Sequence, residues 1–148
     1  GFTADDFARS HPAGALGKRL LLQVKHLMHT GQDLPKVAPH TPMNQVLYEI
    51  SNKRLGLTTI VDENDTLLGI FTDGDLRRLI DKQQGFDVNL AVSEVMTAQP
   101  STIDAEARAV EALAQLRDKK INQFVVVDAA NKVIGVVSMH DLIQAGVN

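Results

Sequence analysis

The chain repeats one pattern of residues at a constant offset of 66 positions. In the first copy, Ile60-Val61-Asp62 is followed by a polar turn, a Gly-apolar-apolar segment and a hydroxyl residue. The second copy has the same features from Val126 onward, each 66 positions after its counterpart. Two copies are too few for a solenoid, which needs a longer stack of repeats. We therefore expect the copies to pack against each other and to form clefts that bind a ligand.

The composition excludes several classes of protein. The 148 residues carry a net charge of −3, with one Tyr and no Trp, so neither nucleic acid nor an anionic membrane is favoured as a partner. Cysteine is absent, which excludes disulfides and thiolate metal sites. No apolar run approaches the roughly 18 residues that span a bilayer, and we expect a cytoplasmic protein. The chain begins with Gly1 rather than Met, which suggests a segment of a longer polypeptide.

Each copy contains an amphipathic helix. Apolar residues recur at i, i+3, i+4 and i+7 from Met43 and from Ala109, the period of a helix that buries one face. Thr41 is predicted to cap the first helix, with Pro42 at its first position. Asp104 is predicted to cap the second helix.

Strands and a second helix complete each copy. Asp-Glu-Asn-Asp and Asp-Ala-Ala-Asn supply turn residues between two predicted strands. With a short extended piece before the first helix and a final helix from Thr72 or Ser138, the predicted order is β-α-β-β-α. Phe71 and Val137 are predicted to lie in one shared core. The predicted strands are Leu57–Val61, 67–71, Gln123–Val127 and 133–137.

Paired units of this order, with an apolar-Val-Asp strand end and Gly-apolar-apolar-[Thr/Ser]-x-x-Asp-Leu, resemble a tandem cystathionine-β-synthase (CBS) domain pair, or Bateman module. The resemblance implies an α/β (α+β) fold in which two repeats pack as a pseudo-two-fold pair. It divides the chain into a first repeat (24–82), a linker (83–90) and a second repeat (91–148). Thr59 and Val125 depart from the family, since many members carry Pro there.

Residues 6–17 (Asp-Phe-Ala-Arg-Ser-His-Pro-Ala-Gly-Ala-Leu-Gly) and 71–78 add a second resemblance. They are similar to arabinose-5-phosphate isomerases of Gram-negative bacteria, in which a sugar-isomerase (SIS) domain precedes the CBS pair. Those enzymes interconvert ribulose 5-phosphate and arabinose 5-phosphate for Kdo and lipopolysaccharide biosynthesis. The resemblance implies that residues 1–23 connect to a SIS domain. It also implies that His11 is a catalytic candidate only in the intact parent, and that this chain is regulatory and not itself an enzyme.

Two tetrapeptides carry the candidate site, and each has two interpretations. Thr72 with Asp75, and Ser138 with Asp141, place a hydroxyl and a carboxylate three residues apart at a helix start, which is a capping-box pattern. The same groups also suit a ligand, because a helix N-terminus and a hydroxyl can bind phosphate while a carboxylate accepts from ribose hydroxyls. The sequence leaves both interpretations open.

The CBS resemblance assigns ligand contacts by position. It implies that Asp75 and Asp141 bind ribose and that Thr72 and Ser138 bind phosphate or sugar, with His140 close to the second motif. The base would lie near residues of the strand starts: Leu57, Thr58, Gln123 and Phe124. Since the strand positions that are often basic in adenosine-polyphosphate sites carry Leu57 and Gln123, we expect a nucleoside monophosphate or a nucleotide sugar, AMP-like or CMP-Kdo.

The resemblance also implies partners. CBS pairs commonly dimerise through their second helices, so we expect a homodimer of this chain within a tetrameric parent, alongside the SIS catalytic domain. The alternative is a purely structural oligomerisation module with unoccupied clefts. No cofactor is expected. His26 and His29 lie three positions apart but lack the further ligands of a zinc site, so no metal is expected either.

Overall fold

The computed structural model describes residue 17, residues 20–83 and residues 85–147. The candidate His11 and most of residues 1–23, which were predicted to connect to a SIS domain, lie outside these residues. In the described part of the chain, no helix is long and apolar enough to cross a membrane.

The first repeat contributes two helices and three strands. Helix α1 (Val24–Leu27) and a 3-10 turn (Gly31–Asp33) precede them. The strands pair in the order β1-β2-β3, the first two parallel and the last two antiparallel. The elements are β1 (Lys36–Val37), α2 (Met43–Lys53), β2 (Leu57–Val61), β3 (Leu67–Thr72) and α3 (Asp73–Gln83).

The second repeat has the same order and the same pairing. It begins with a 3-10 turn (Val92–Glu94) and strand β4 (Thr97–Ala98), and its remaining strands pair in the order β5-β6-β7. The predicted mixed α/β architecture and the predicted long strands are therefore confirmed. The elements are β5 (Thr102–Ile103), α4 (Ala109–Lys119), β6 (Gln123–Val127), β7 (Val133–Ser138) and α5 (Met139–Gln144).

The predicted N-caps of the amphipathic helices α2 and α4 were wrong. Thr41 was predicted as the N-cap of α2 and Pro42 as its first residue. In the structure both positions lie one residue later, with Pro42 as the N-cap and Met43 as the first residue. Helix α4 has Arg108 as its N-cap, whereas the carboxylate of Asp104 accepts a hydrogen bond from the Glu106 N–H at 2.7 Å and so forms a turn. A short polar side chain favours turns as readily as caps, which makes the two hard to distinguish in sequence.

The two hairpin turns pair with each other and relate the repeats by a pseudo-two-fold axis. The Leu67 N–H donates to the Asn131 carbonyl at 3.0 Å, and the Val133 N–H donates to the Asp65 carbonyl at 2.9 Å. Within the first turn, hydrogen bonds from the Thr66 and Asn64 N–H groups hold the pKa of Asp62 below its ordinary value. The duplication in sequence is thus a duplication in space.

Each repeat exchanges its N-terminal segment with the other repeat. Helix α1 leads into repeat 1 but docks on repeat 2, where the Val24 N–H donates to the Ala107 carbonyl at 2.8 Å. The N-terminal segment of repeat 2 docks on repeat 1 in the same way, with the Val92 N–H donating to the Thr41 carbonyl at 2.9 Å. Strand β4 consequently forms the edge of the first sheet, antiparallel to β3.

The prediction that Phe71 and Val137 share one core was wrong. Phe71 packs in the core of repeat 1 and Val137 in the core of repeat 2, each on the helix side of its own sheet. Successive residues of a strand face opposite sides, so Val136 and not Val137 reaches the centre. The core between the repeats consists of Leu34, Leu57, Val61, Leu67, Val125, Val133 and Val136.

Candidate ligand-binding cleft

A cleft of about 480 Å³ lies between the two repeats, a volume in the range of small-molecule sites. Repeat 1 lines it with Gly56 and with the junction of β3 and α3. The segment 97–101 and residues 120–123 of repeat 2 form the other walls. The cleft thus combines both repeats with the segment that is exchanged between them.

Thr72 and Asp75 form a reciprocal capping box at the start of α3. The Asp75 N–H donates to Thr72 Oγ1 at 3.0 Å, and the Thr72 N–H donates to Asp75 Oδ2 at 3.0 Å. This fixes both side chains at the mouth of the cleft. Because Thr72 Oγ1 accepts in this bond, its hydroxyl proton can still be donated to a ligand oxygen.

The carboxylate of Asp75 has two further donors. Arg78 donates to Oδ1 at 2.6 Å, and Thr97 Oγ1 lies 3.3 and 3.2 Å from the two carboxylate oxygens. The Asp75 side chain is 13% exposed, whereas that of Arg78 is 73% exposed. Because the guanidinium group is mostly in water, this ion pair contributes little free energy, and Arg78 can leave the carboxylate at small cost.

Ser138 and Asp141 form the same capping box at the start of α5. The Asp141 N–H donates to Ser138 Oγ at 3.1 Å, and the Ser138 N–H donates to Asp141 Oδ2 at 2.9 Å. The third partner differs from that of Asp75, because His29 Nε2 lies 2.8 Å from Asp141 Oδ1. The capping interpretation is therefore confirmed in both repeats, and it does not exclude ligand contacts.

Two cations and two carboxylates line the cleft. Lys120, the left-handed C-cap of α4, and Arg78 supply positive charge, while Asp73 and Asp75 balance it. The sequence pattern did not indicate Lys120, because this residue lies at the end of a helix in repeat 2 and 45 positions from Asp75. Only the packing of the repeats brings them to one cleft.

Comparison with known proteins gives a separate match for each of the two repeats. A family model described as the CBS domain matches residues 24–82 and, separately, residues 92–148. The chain belongs to the CBS-domain family. The resemblance inferred from the sequence motifs is confirmed, and the chain is a CBS pair.

The CBS pair is similar to parts of larger proteins. It is 51% identical over 148 residues to the arabinose 5-phosphate isomerase KdsD of Pseudomonas aeruginosa, covering 99% of this chain and 45% of that protein. The KdsD of Escherichia coli strain K12 is 46% identical over 148 residues, covering 99% of this chain and 44% of that protein. The CBS pair therefore spans less than half the length of these relatives.

A solved structure of another CBS-pair protein has the same fold. The structure of CBSX2 in complex with AMP superimposes with a TM-score of 0.74 at 26% sequence identity. The match covers 84% of this chain and 96% of the CBSX2 chain.

The residues predicted to contact a base lie in two environments in the CBS pair. Gln123 lines the cleft, and its side-chain amide donates to the Leu55 carbonyl at 3.0 Å. Leu57, Thr58 and Phe124 are fully buried and are not among the residues that line the cleft.

The histidines of the CBS pair have separate environments. His26 Nδ1 accepts a hydrogen bond from the Gln23 N–H at 3.0 Å, which places it in the capping box of α1. His140 is exposed in the first turn of α5. Within residues 20–83 and 85–147, no three side chains of His, Asp or Glu come together in a metal-binding group.

Proposed function

We propose that this CBS pair is the regulatory, nucleotide-sensing module of an arabinose-5-phosphate isomerase. The observation that carries the proposal is the cleft itself, where a helix start, a hydroxyl, a carboxylate and two cations meet. The similarity to KdsD supports the parent enzyme. The fold shared with CBSX2, which was crystallised with AMP, supports a nucleotide as the ligand.

Each group of the cleft has a role in recognising a nucleotide. The carboxylate of Asp75 accepts hydrogen bonds from the two ribose hydroxyls once Arg78 has turned away. The hydroxyl of Thr72 and the N-terminal end of α3 bind phosphate, since this end of a helix carries a partial positive charge. The Asp73 and Asp75 N–H groups already donate to the Gly56 carbonyl and to Thr72 Oγ1, so the hydroxyl and the charge of the helix end carry this contact. Lys120 adds a cation from the opposite wall. One N–H of the Gln123 amide donates to the Leu55 carbonyl, which leaves its second N–H and its oxygen for a base.

The charge of the cleft favours a singly phosphorylated ligand. Arg78 and Lys120 are offset by Asp73 and Asp75, so the lining residues have no surplus of positive charge. A triphosphate brings about four negative charges that such a lining cannot neutralise. We therefore propose AMP-like nucleotides or a nucleotide sugar such as CMP-Kdo, in which the nucleotide carries a single phosphodiester.

Regulation follows from the position of the cleft. A ligand that contacts both repeats favours the arrangement of repeats in which its contacts are best, which is a shift between existing states. In the parent, that shift would alter how the CBS pairs hold the SIS active sites. If CMP-Kdo is the ligand, the activated sugar would report on the supply of Kdo for lipopolysaccharide biosynthesis. The enzyme's compartment would be the cytoplasm, where these phosphorylated sugars occur.

Isothermal titration of the chain with CMP-Kdo, AMP and ATP tests the proposal. We expect CMP-Kdo or AMP to bind, ATP to bind at least tenfold more weakly, and Asp75→Ala to lose at least tenfold in affinity. Asp128→Ala is the matched control, because this carboxylate also accepts hydrogen bonds from backbone N–H groups, those of Ala130 and Lys132, but lies in the turn of repeat 2. Absence of heat with all three ligands would rule out nucleotide sensing.

A structural oligomerisation module is the second candidate function. Ile80 on α3 and Ile143 on α5 are both exposed, and an exposed apolar side chain on each second helix supports a homodimer through these helices. The double variant Ile80→Lys/Ile143→Lys should then be monomeric in light scattering while the wild type is dimeric. The CBS pair would have this function alone if three results held together: it dimerises, it binds none of the three nucleotides, and its deletion dissociates a tetrameric parent.

A further inference from the structure

The exchanged segments place different side chains against the two capping-box carboxylates. Each segment contains a methionine that packs over a glycine of the other repeat, Met96 over Gly69 and Met28 over Gly135. The next residue reaches the carboxylate, which is Thr97 at Asp75 but His29 at Asp141. His29 and Thr97 are therefore equivalent positions with unlike side chains.

His29 is held in place by its backbone as well as by its ring. Its N–H donates to the Val136 carbonyl at 2.8 Å, and its carbonyl accepts from the Val136 N–H at 3.1 Å. The ring is 31% exposed and the carboxylate of Asp141 is 16% exposed, so the contact between them is partly shielded from water. Since a carboxylate only accepts, the proton of this bond resides on Nε2.

Both oxygens of Asp141 are consequently occupied. Oδ2 accepts from the Ser138 N–H at 2.9 Å and Oδ1 accepts from His29 at 2.8 Å. Both oxygens of Asp75 are occupied too, Oδ2 by the Thr72 N–H at 3.0 Å and Oδ1 by Arg78 at 2.6 Å, but the Arg78 side chain is 73% exposed. In the place of His29, Thr97 contributes only a small hydroxyl at 3.2 Å or more. A ribose can replace Arg78 by a side-chain rotation, whereas replacing His29 requires an imidazole ring to leave a shielded hydrogen bond.

We propose that His29 blocks ligand binding at the second capping box, that of Ser138 and Asp141, so that each chain binds one ribonucleotide, in the Asp75 cleft. This inference rests on the proposed nucleotide-binding function and decides which of the two equivalent sites is used. The residue that follows the exchanged methionine then determines whether a nucleotide binds. The small hydroxyl of Thr97 leaves the carboxylate accessible to ribose, whereas the imidazole of His29 blocks it.

Exchanging the two side chains tests the inference. Isothermal titration with AMP should give one site per chain in the wild type and two sites in His29→Thr. The reciprocal variant Thr97→His should reduce the wild-type site to none. The double variant His29→Thr/Asp141→Ala should return to one site, because the added site depends on the freed carboxylate. His29→Ser serves as a second opening variant, and circular dichroism melting confirms that each variant is folded.

Two results would overturn the inference. One is a wild type that binds two nucleotides per chain. The other is a pair of folded variants, His29→Thr and His29→Ser, that gain no site. The proposed function fails separately, when the wild type binds no nucleotide. In that case a site gained by His29→Thr still supports closure by His29.

Discussion

Gly69 and Gly135 lie so close to the methionines of the exchanged segments that a larger residue would not fit. A Cβ added at Gly69 would lie 2.7 Å from Met96 Sδ and 2.7 Å from the Thr97 carbonyl oxygen. At Gly135 it would lie 2.7 Å from Met28 Sδ and 3.1 Å from the His29 carbonyl oxygen. The Gly of the repeated motif therefore allows the exchanged segment to approach the sheet.

Gly69→Ala should destabilise the chain by about 1–3 kcal/mol, because the methyl group overpacks against a backbone oxygen that cannot rotate away. Urea denaturation measures the change. Gly74→Ala is the matched control, since its nearest neighbours are 3.4 Å away on the flexible Arg78. This control should stabilise α3 by about 0.5–1 kcal/mol. Equal stability of Gly69→Ala and the wild type would contradict the close approach.

Lys120 and Arg54 allow charge and backbone effects to be separated. Both are C-caps in the left-handed region, with φ of 57° and 64°, but only Lys120 lines the cleft. Changing either to Gly should raise the free energy of unfolding by up to about 1 kcal/mol, because Gly adopts this conformation without strain. Only Lys120→Gly should weaken nucleotide binding, by about fivefold, since one charge contact near a surface is worth on the order of 1 kcal/mol. Equal losses of affinity in both variants would exclude a role for the Lys120 charge.

The sequence predicted the capping-box residues but not their third partners. Thr72, Asp75, Ser138 and Asp141 follow the 66-residue offset and could be read directly from the repeat. Thr97 and His29 lie 68 positions apart, so the offset that relates the repeats does not relate them. Their contacts are long-range, and no local pattern marks a side chain that reaches the other repeat.

At the level of elements, the long strands and helices were predictable because each has its own apolar period. The exchange of segments was not. Strands β1, β4 and β5 have two residues each, too few for an alternating pattern to indicate where they pair. The boundary of a repeat in sequence therefore differs from its boundary in space.

The exchange predicts that each segment stabilises the other repeat. Val24 is fully buried in the core of repeat 2, and Val92 is fully buried in the core of repeat 1. Val24→Ala and Val92→Ala should each cost roughly 1–3 kcal/mol. Hydrogen exchange should then show faster exchange in β6 and β7 for Val24→Ala, and in β2 and β3 for Val92→Ala. If amide hydrogens instead exchanged faster in the repeat to which the mutated segment belongs in sequence, the docking of each segment on the other repeat would be contradicted.

At the scale of the whole molecule, a symmetric scaffold carries unequal sites. The paired turns and the reciprocal docking of segments obey the pseudo-two-fold relation. The residues around the two carboxylates do not, since Arg78 and Thr97 are replaced by Gln144 and His29. Fold and stability follow from what the repeats share, and we propose that the place of ligand binding follows from where they differ.

The most direct test of this account is a titration of the ¹⁵N-labelled chain with CMP-Kdo and AMP, followed by amide chemical shifts. We expect saturable shifts to concentrate at 72–78, at Thr97 and at 120–123, and to disappear in Asp75→Ala. Amides of 138–141 should remain unshifted. Shifts centred on 138–141, or no shifts with either ligand, would contradict the assignment of nucleotide binding to the Asp75 cleft.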